Sequence, residues 1–274
     1  MRSSSTVGTG DGSTNHEENA LRGDHRSACP GKLYVVGIGP GSLEDMSGRA
    51  KEALAASEYI VGYDTYLALI KPLLTGKEIV GTGMMQEIER CRRAVELAGE
   101  GKTVAVVSSG DPGIYGMAGL VLELAQQAPA NKQPDVTVIP GISAVSAAAA
   151  LLGAPLMHDF AVISLSDLLT PWDVIVKRLE ASAASDFVVA LYNPKSMRRT
   201  EQIKEARRIM LAHRAAETPV GIVTNATREG ETAVVSTLAD FLQEEIAMFS
   251  LVIIGNRCTF VQTGKMITPR GYLV

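Results

Sequence analysis

Five short segments combine glycine, proline and small polar residues in a way that lets backbone approach a ligand closely. They are Gly37-Ile38-Gly39-Pro40-Gly41, Ser108-Ser109-Gly110-Asp111-Pro112-Gly113-Ile114-Tyr115-Gly116, Pro140-Gly141-Ile142-Ser143-Ala144, Leu191-Tyr192-Asn193-Pro194 and Thr224-Asn225-Ala226-Thr227-Arg228-Glu229-Gly230-Glu231. The first looks like a dinucleotide fingerprint but departs from it. Ser42 stands where the third glycine belongs, and Pro40 removes a backbone donor that a phosphate cradle uses. In the second, Asp111 hydrogen-bonds a ribose, faces a cation, or simply caps a helix whose first residue is Pro112. Ser143 is open to the same plain reading, as the N-cap of the alanine-rich helix after it. Metal chemistry is not indicated. His16, His25, His158 and His213 are scattered, and Cys29, Cys91 and Cys258 show no CxxC spacing.

What must position these segments is a βα rhythm. Strands are expected at 33–38, 58–62, 103–109 and 135–141, with helices at 47–57, 84–99, 114–127 and 143–152. In the 84–99 helix, Met85, Ile88, Val95 and Leu97 form the apolar side. After Gly153-Ala154-Pro155 the rhythm resumes. Strands are expected at 160–165, 186–192, 219–226, 233–238 and 251–256, and helices at 172–183, 196–215 and 239–247. The fold class is therefore α/β with mostly parallel or mixed sheets. The expected division is a disordered tail at 1–31, an N-terminal α/β domain at 32–152, a C-terminal one at 153–262 and an extension at 263–274. All five glycine or small-polar segments fall at strand ends, where open α/β sheets bind ligands.

Composition narrows the function classes. Hydrophobic residues make up 46% and charged residues 20%, so the chain is neither a disordered nor a disulfide-stapled one. A net charge of −4 gives nucleic-acid binding no global electrostatic support. The tail lacks the apolar core of a secretory signal, and the apolar stretch from Gly141 to Met157 is too broken to span a bilayer. Three dispersed cysteines fit a reducing cytoplasm.

In this order and spacing, GIGPG, SSGDPGIYG, PGISA, YNP and TNATREGE resemble the tetrapyrrole methylase family, over about residues 32–262. Three longer stretches, SSGDPGIYGMAGLV (108–121), GAPLMHDFAVISLSDLLTPW (153–172) and LYNPKSMRR (191–199), are similar to those of members that methylate C-17 of precorrin-3B in cobalamin biosynthesis. The resemblance implies the class III methyltransferase fold, a homodimer, and S-adenosylmethionine (SAM) in the cleft between two α/β domains. The family's SAM contacts map onto Pro40, Gly110, Asp111, Ile114, Ser143, Ala144, Asn193 and Ala226. Members often carry methionine at the position of Asn193 and glycine at that of Ala226. Backbone contacts survive both changes.

The implied chemistry is methyl transfer from a sulfonium to a ring carbon, which needs in-line placement more than a strong base. Neither a metal nor an iron–sulfur cluster is expected. The implied ring contraction needs proton transfers, and the candidates by type are Asp111, Tyr115, His158, Ser164, Ser166, Asp167 and Thr170. Ser109, Ser164 and Thr170 are expected to face the tetrapyrrole. Its carboxylates call for cations, and Arg198 and Arg228 lead, with Lys195 and Arg199 beside them. A solvated helix face is the plain alternative, preferred for Lys204, Arg207 and Arg208. Trp172 reads as a core anchor rather than a stacking platform, and a satisfied structural histidine is the plain reading of His158. Cobalt-factor III is the alternative substrate, and another precorrin ring position the alternative target. A methylase of RNA or protein with the same fold, or a nicotinamide-binding protein, stands further off.

Overall fold

The computed structural model describes residues 30–83 and 85–272. The expected tail therefore lies outside the described residues except for its last two positions, and Cys29 lies outside with it. Strands β1 (Lys32–Gly37), β2 (Tyr59–Tyr63), β3 (Glu78–Thr82), β4 (Val104–Ser108) and β5 (Asp135–Ile139) form one parallel sheet in the order β3-β2-β4-β1-β5. Its central runs are apolar at every position because both faces are covered. On one face, Leu33, Val35, Val104 and Val106 pack against Cys91, Ala94, Val95, Val121 and Ala125. On the other, Val36, Ala105 and Val107 meet Ala50, Leu54, Leu67 and Ile70. The helices responsible are α1 (Gly48–Ala56), α2 (Asp64–Leu69), α3 (Glu87–Gly99) and α4 (Ala118–Gln127).

The chain then crosses at Pro140–Ser143. Helix α5 (Ala144–Leu152), capped by Ser143, lays Val145, Ala148 and Leu152 on the second sheet, not the first. After β6 (Gly153–Ala154) come β7 (Phe160–Ser164), β8 (Val188–Tyr192), β9 (Pro219–Thr224), β10 (Thr232–Thr237) and β11 (Ser250–Ile254), in the order β10-β9-β11-β8-β7. Only the β7–β8 pair is parallel. β11 runs antiparallel to β8 and β9, and β10 antiparallel to β9. Helices α6 (Trp172–Ala184) and α7 (Gln202–Leu211) cover the far face, with Ile175, Leu179, Ile203 and Met210 in its core and Trp172 packed at its edge. Trp172 is thus a core anchor. Strands β12 (Phe260–Gln262) and β13 (Lys265–Ile267) close a small sheet with β6, so the expected C-terminal extension is tied in through β13. No described helix is long and apolar enough to cross a membrane.

Several expected elements are shorter. The helix expected at 239–247 is a single 3-10 turn, Phe241–Gln243. There Thr237 donates to Asp240, and Gln243 donates to Asp240 as well. Such local bonds compete with helix formation. The helix expected from residue 84 starts at Glu87. Met85 has φ +64° and, like Ile88, is exposed, so the buried side is Cys91, Ala94, Val95, Leu97 and Ala98. The helix expected from 114 starts at Ala118, after a turn in which Tyr115 has φ +53°. The long basic helix is only Gln202–Leu211, because Ser196 and Arg199 close a turn on each other before it. Strand β3 and helix α2 had no counterpart in the sequence reading.

Candidate active site

The exits of β1, β4 and β5 are three loops packed backbone on backbone. Gly39 and Gly110 exchange both backbone hydrogen bonds, at 3.2 and 2.7 Å. A Cβ at Gly141 would sit 2.2 Å from the Gly110 carbonyl oxygen and 2.9 Å from the Gly37 carbonyl carbon. Glycine is therefore a condition for these loops to meet at all. Asp111 fastens the arrangement from its side chain. Oδ1 accepts from the Gly113 amide at 2.8 Å and Oδ2 from the Gly141 amide at 3.1 Å. It is not the cap of α4, whose first residue lies seven positions on. The N-terminal reading of Asp111 fails because the chain turns through Pro112–Met117 before it becomes helical.

The second sheet closes the cleft with side chains. Arg228, in the loop after β9, donates from Nε to the Pro40 carbonyl at 2.6 Å and from Nη2 to Ser109 Oγ at 2.7 Å. Its guanidinium lies 5.7 Å from the centre of the Phe249 ring. A Cβ at Gly41 would strike its stem at 2.3 Å. Burial pushes the guanidinium below its ordinary range, with the Tyr66 phenol opposing. Next to Arg228, the Thr227 hydroxyl accepts from the Ser42 amide at 3.1 Å. On the opposite side, Tyr115 reaches from the first sheet's loop to the β7 edge. Its hydroxyl donates to the Val162 carbonyl at 3.1 Å and accepts from the Ser164 amide at 3.0 Å. Its ring leans on Tyr192 at 5.3 Å, and the Tyr192 hydroxyl accepts from the Val145 amide at the start of α5. Burial raises both phenols above their ordinary value.

Between these walls lies a cleft of about 190 Å³. All eight residues of the expected SAM set line it: Pro40, Gly110, Asp111, Ile114, Ser143, Ala144, Asn193 and Ala226. Ser109, Tyr115 and Arg228 line it too. Asp111 and Arg228 are the charged side chains among the lining residues, one of each sign. Ser164 stands just behind, where its hydroxyl accepts from Asn193 Nδ2 at 2.9 Å.

Other expected site residues lie elsewhere. His158 precedes the N-terminal end of β7, whereas the cleft is at the C-terminal end, marked by Ser164. At about 3.3 Å per residue the intervening strand separates them by roughly 20 Å. Its Nδ1 accepts from the Asp159 amide, and the ring is exposed. His158 is thus a surface residue far from the cleft. Ser166, Asp167 and Thr170 sit in the loop after β7, outside the cleft wall. Ser166 contacts Arg199 and Asp167 accepts from Gln202. Arg198 is exposed in the turn before α7, and Thr170 is half-buried.

The sequence reading missed Tyr66, Met248 and Phe249 as lining residues. Nothing local marks Met248 and Phe249, two exposed apolar residues leading into β11. Only the Arg228 cation, placed over a ring by the fold, gives Phe249 a role.

Residues 32–242 match the family model described as Tetrapyrrole (Corrin/Porphyrin) Methylases, and the chain belongs to that family. Among its relatives, the cobalt-factor III methyltransferase of Priestia megaterium is 55% identical over 244 residues, 88% of this chain and 45% of the relative. The chain thus spans under half of that longer protein. The probable cobalt-factor III C(17)-methyltransferase of Salmonella typhimurium strain LT2 is 53% identical over 240 residues, 88% of this chain and 99% of the relative. Among solved structures, that of the methyltransferase CobJ superposes with a TM-score of 0.82 at 36% identity, covering 87% of this chain and all of that one.

Proposed function

We propose that the protein methylates C-17 of a corrin precursor, with contraction of the macrocycle, in cobalamin biosynthesis, and that SAM occupies the cleft. The observation that carries this reading is the convergence of all eight expected SAM residues on one cleft holding a single carboxylate and a single guanidinium. That donor and acceptor set suits the group. Ser143 and Ala144 bring the start of α5, whose first amides have no intrahelical acceptor, to the cleft wall, and the two opposite charges match an amino-acid zwitterion. When bound, SAM supplies an electrophilic methyl group on a sulfonium. The chain's own residues bind and orient. Asp111 holds the first sheet's loops in register, Arg228 holds the second sheet's loop against them, and Asn193 and Ala226 complete the wall.

Because the nucleophile is an electron-rich ring carbon, placement carries the rate. We read Tyr115 as a brace rather than an acid or base, since its hydroxyl is already bonded on both sides to β7. Ser166, Asp167 and Thr170, in the loop after β7, are the candidates for the proton transfers of contraction. Arg198 and Lys195 in the neighbouring loop suit the peripheral carboxylates.

We take cobalt-factor III as the substrate, because relatives at 53–55% identity carry that name. Precorrin-3B is the second reading, favoured by the resemblance carried by SSGDPGIYGMAGLV, GAPLMHDFAVISLSDLLTPW and LYNPKSMRR. The reading includes a homodimer, by family resemblance, and a cytoplasmic setting without nucleic-acid or membrane partners. The test is anaerobic incubation of the purified protein with SAM and either tetrapyrrole, followed by absorbance and mass spectrometry. A gain of one methyl group with the spectrum of a contracted ring is expected. A methyl gain without contraction would move the ring position. SAM binding with neither tetrapyrrole altered would sink the substrate assignment.

A further inference from the structure

A hydrogen-bonded chain runs outward from the cleft through three loops and ends on Arg199. Tyr115 bonds the backbone of Val162 and Ser164. The Ser164 hydroxyl accepts from Asn193 Nδ2 at 2.9 Å and from the Ser166 amide at 3.2 Å. Arg199 closes the chain. Its Nη2 donates to the Asn193 carbonyl at 2.9 Å, and its Nη1 reaches Ser166 Oγ at 3.5 Å. Asn193, gripped at both ends, has φ +49°, a left-handed conformation that asparagine adopts more readily than most residues but that needs local bonds to hold it. It is also the one member of this outer network, besides Tyr115, that lines the cleft.

Arg199 itself does not line the cleft. Its Nε is buried with no hydrogen-bond partner, and among the described residues no carboxylate pairs with it. A guanidinium placed against two loop oxygens, with one donor left unfilled, is a poor arrangement for packing alone. Its effect is to bind the exits of β7 and β8 at one spacing and to hold Asn193 in its left-handed conformation at the cleft wall. A planar fork does this; the single point charge of a lysine cannot span both oxygens in the same way.

We propose that Arg199 is a positioning residue for binding of the methyl donor, acting through Asn193. This rests on the reading that SAM occupies the cleft. The experiment is calorimetric titration of SAM into the parent protein, Arg199→Met and Arg199→Lys, with thermal unfolding of each and the KM for the tetrapyrrole at saturating SAM. Arg199→Met should raise the Kd for SAM about tenfold, the loss of one charged hydrogen bond's worth of organisation. Arg199→Lys should recover only part of that, and the tetrapyrrole KM should stay within about twofold of the parent. If Arg199→Met fails to fold, Arg199→Lys reads the same quantity. An unchanged SAM Kd in folded variants overturns the proposal, whether Tm falls (a purely structural arginine) or the tetrapyrrole KM rises (a substrate contact). A parent protein that binds no SAM overturns the cofactor reading itself, a result separate from any variant.

Discussion

The two sheets build their sides of the cleft by opposite means. The parallel sheet contributes loops so tightly packed that backbone touches backbone, and what matters there is the absence of side chains at Gly37 and Gly141. The mixed sheet contributes side chains that reach across to the other wall or tie its own loops together: Arg228 to Pro40 and Ser109, Asn193 to Ser164. Steric exclusion is unforgiving, because an added methyl has nowhere to go. A hydrogen-bonded brace is graded, because each bond contributes about 1 kcal/mol and the loops can partly relax without it. The two walls should therefore fail differently under mutation.

The largest effect belongs to the crowded wall. Gly141→Ala places a Cβ within 2.2 Å of a backbone oxygen that cannot move alone. It should cost about 3 kcal/mol in chemical denaturation and abolish SAM binding. Gly119→Ala is the control. Its Cβ meets nothing within 4 Å in the first turn of α4, so it should be neutral or slightly stabilising. Equal behaviour of the two variants would dissolve the contrast between the walls.

Next comes Asp111→Ala, which removes the clasp of the same wall without adding bulk. Two amides, those of Gly113 and Gly141, lose their acceptor. A stability loss of about 2 kcal/mol is expected, with SAM binding or turnover strongly weakened in a protein that still folds. Unchanged turnover would remove Asp111 from the site.

The seam between the walls should be softer. Tyr115→Phe deletes the hydroxyl that bonds Val162 and Ser164 but keeps the ring against Tyr192. A loss of about 1 kcal/mol in stability with little change in turnover marks a brace. A fall in turnover of about a hundredfold or more, at the same stability, would instead make this phenol a proton donor or acceptor.

The same contrast explains what was legible in the sequence. Strands β1, β4, β8 and β11 announce themselves as unbroken apolar runs, since each is buried on both sides. The glycine loops were legible because a backbone wall is written in residue type: a position that tolerates only glycine must be glycine. The cleft residues drawn from those loops all came together. The side-chain wall was not legible in this way. His158 is a chemically attractive type at the wrong end of a strand, and one strand length decides against it. Phe249 gains its role only when Arg228 is folded over it. The helix expected at 239–247 failed because Thr237, Asp240 and Gln243 bond one another. Composition suggested a helix there, and local side-chain geometry prevented one. Strand β3 was missed because it is an edge strand with only Ile79 and Val80 as its apolar run, exposed or half-buried along its length.

Alkaline pH should separate the two halves by a smaller effect. The core under α3 contains Cys91, fully buried, and burial pushes its thiol from an ordinary 9 up to about 11. The core under α6 and α7 is built of apolar residues such as Leu179, Met210 and Phe241, none of them ionisable. An unfolded chain ionises Cys91 near pH 9 and the folded chain only near 11. The thiol's contribution is thus fully present below pH 9 and is lost as pH rises through 11. On the order of 1 kcal/mol should be gone by pH 10. The raised phenols Tyr66, Tyr115 and Tyr192 join only above pH 10, by the same sign. Urea midpoints measured from pH 8 to pH 10 should therefore fall for the parent protein. In Cys91→Ala they should stay nearly flat, whatever fixed stability that variant loses at pH 7. An identical slope in the two proteins would mean that Cys91 does not carry the alkaline sensitivity.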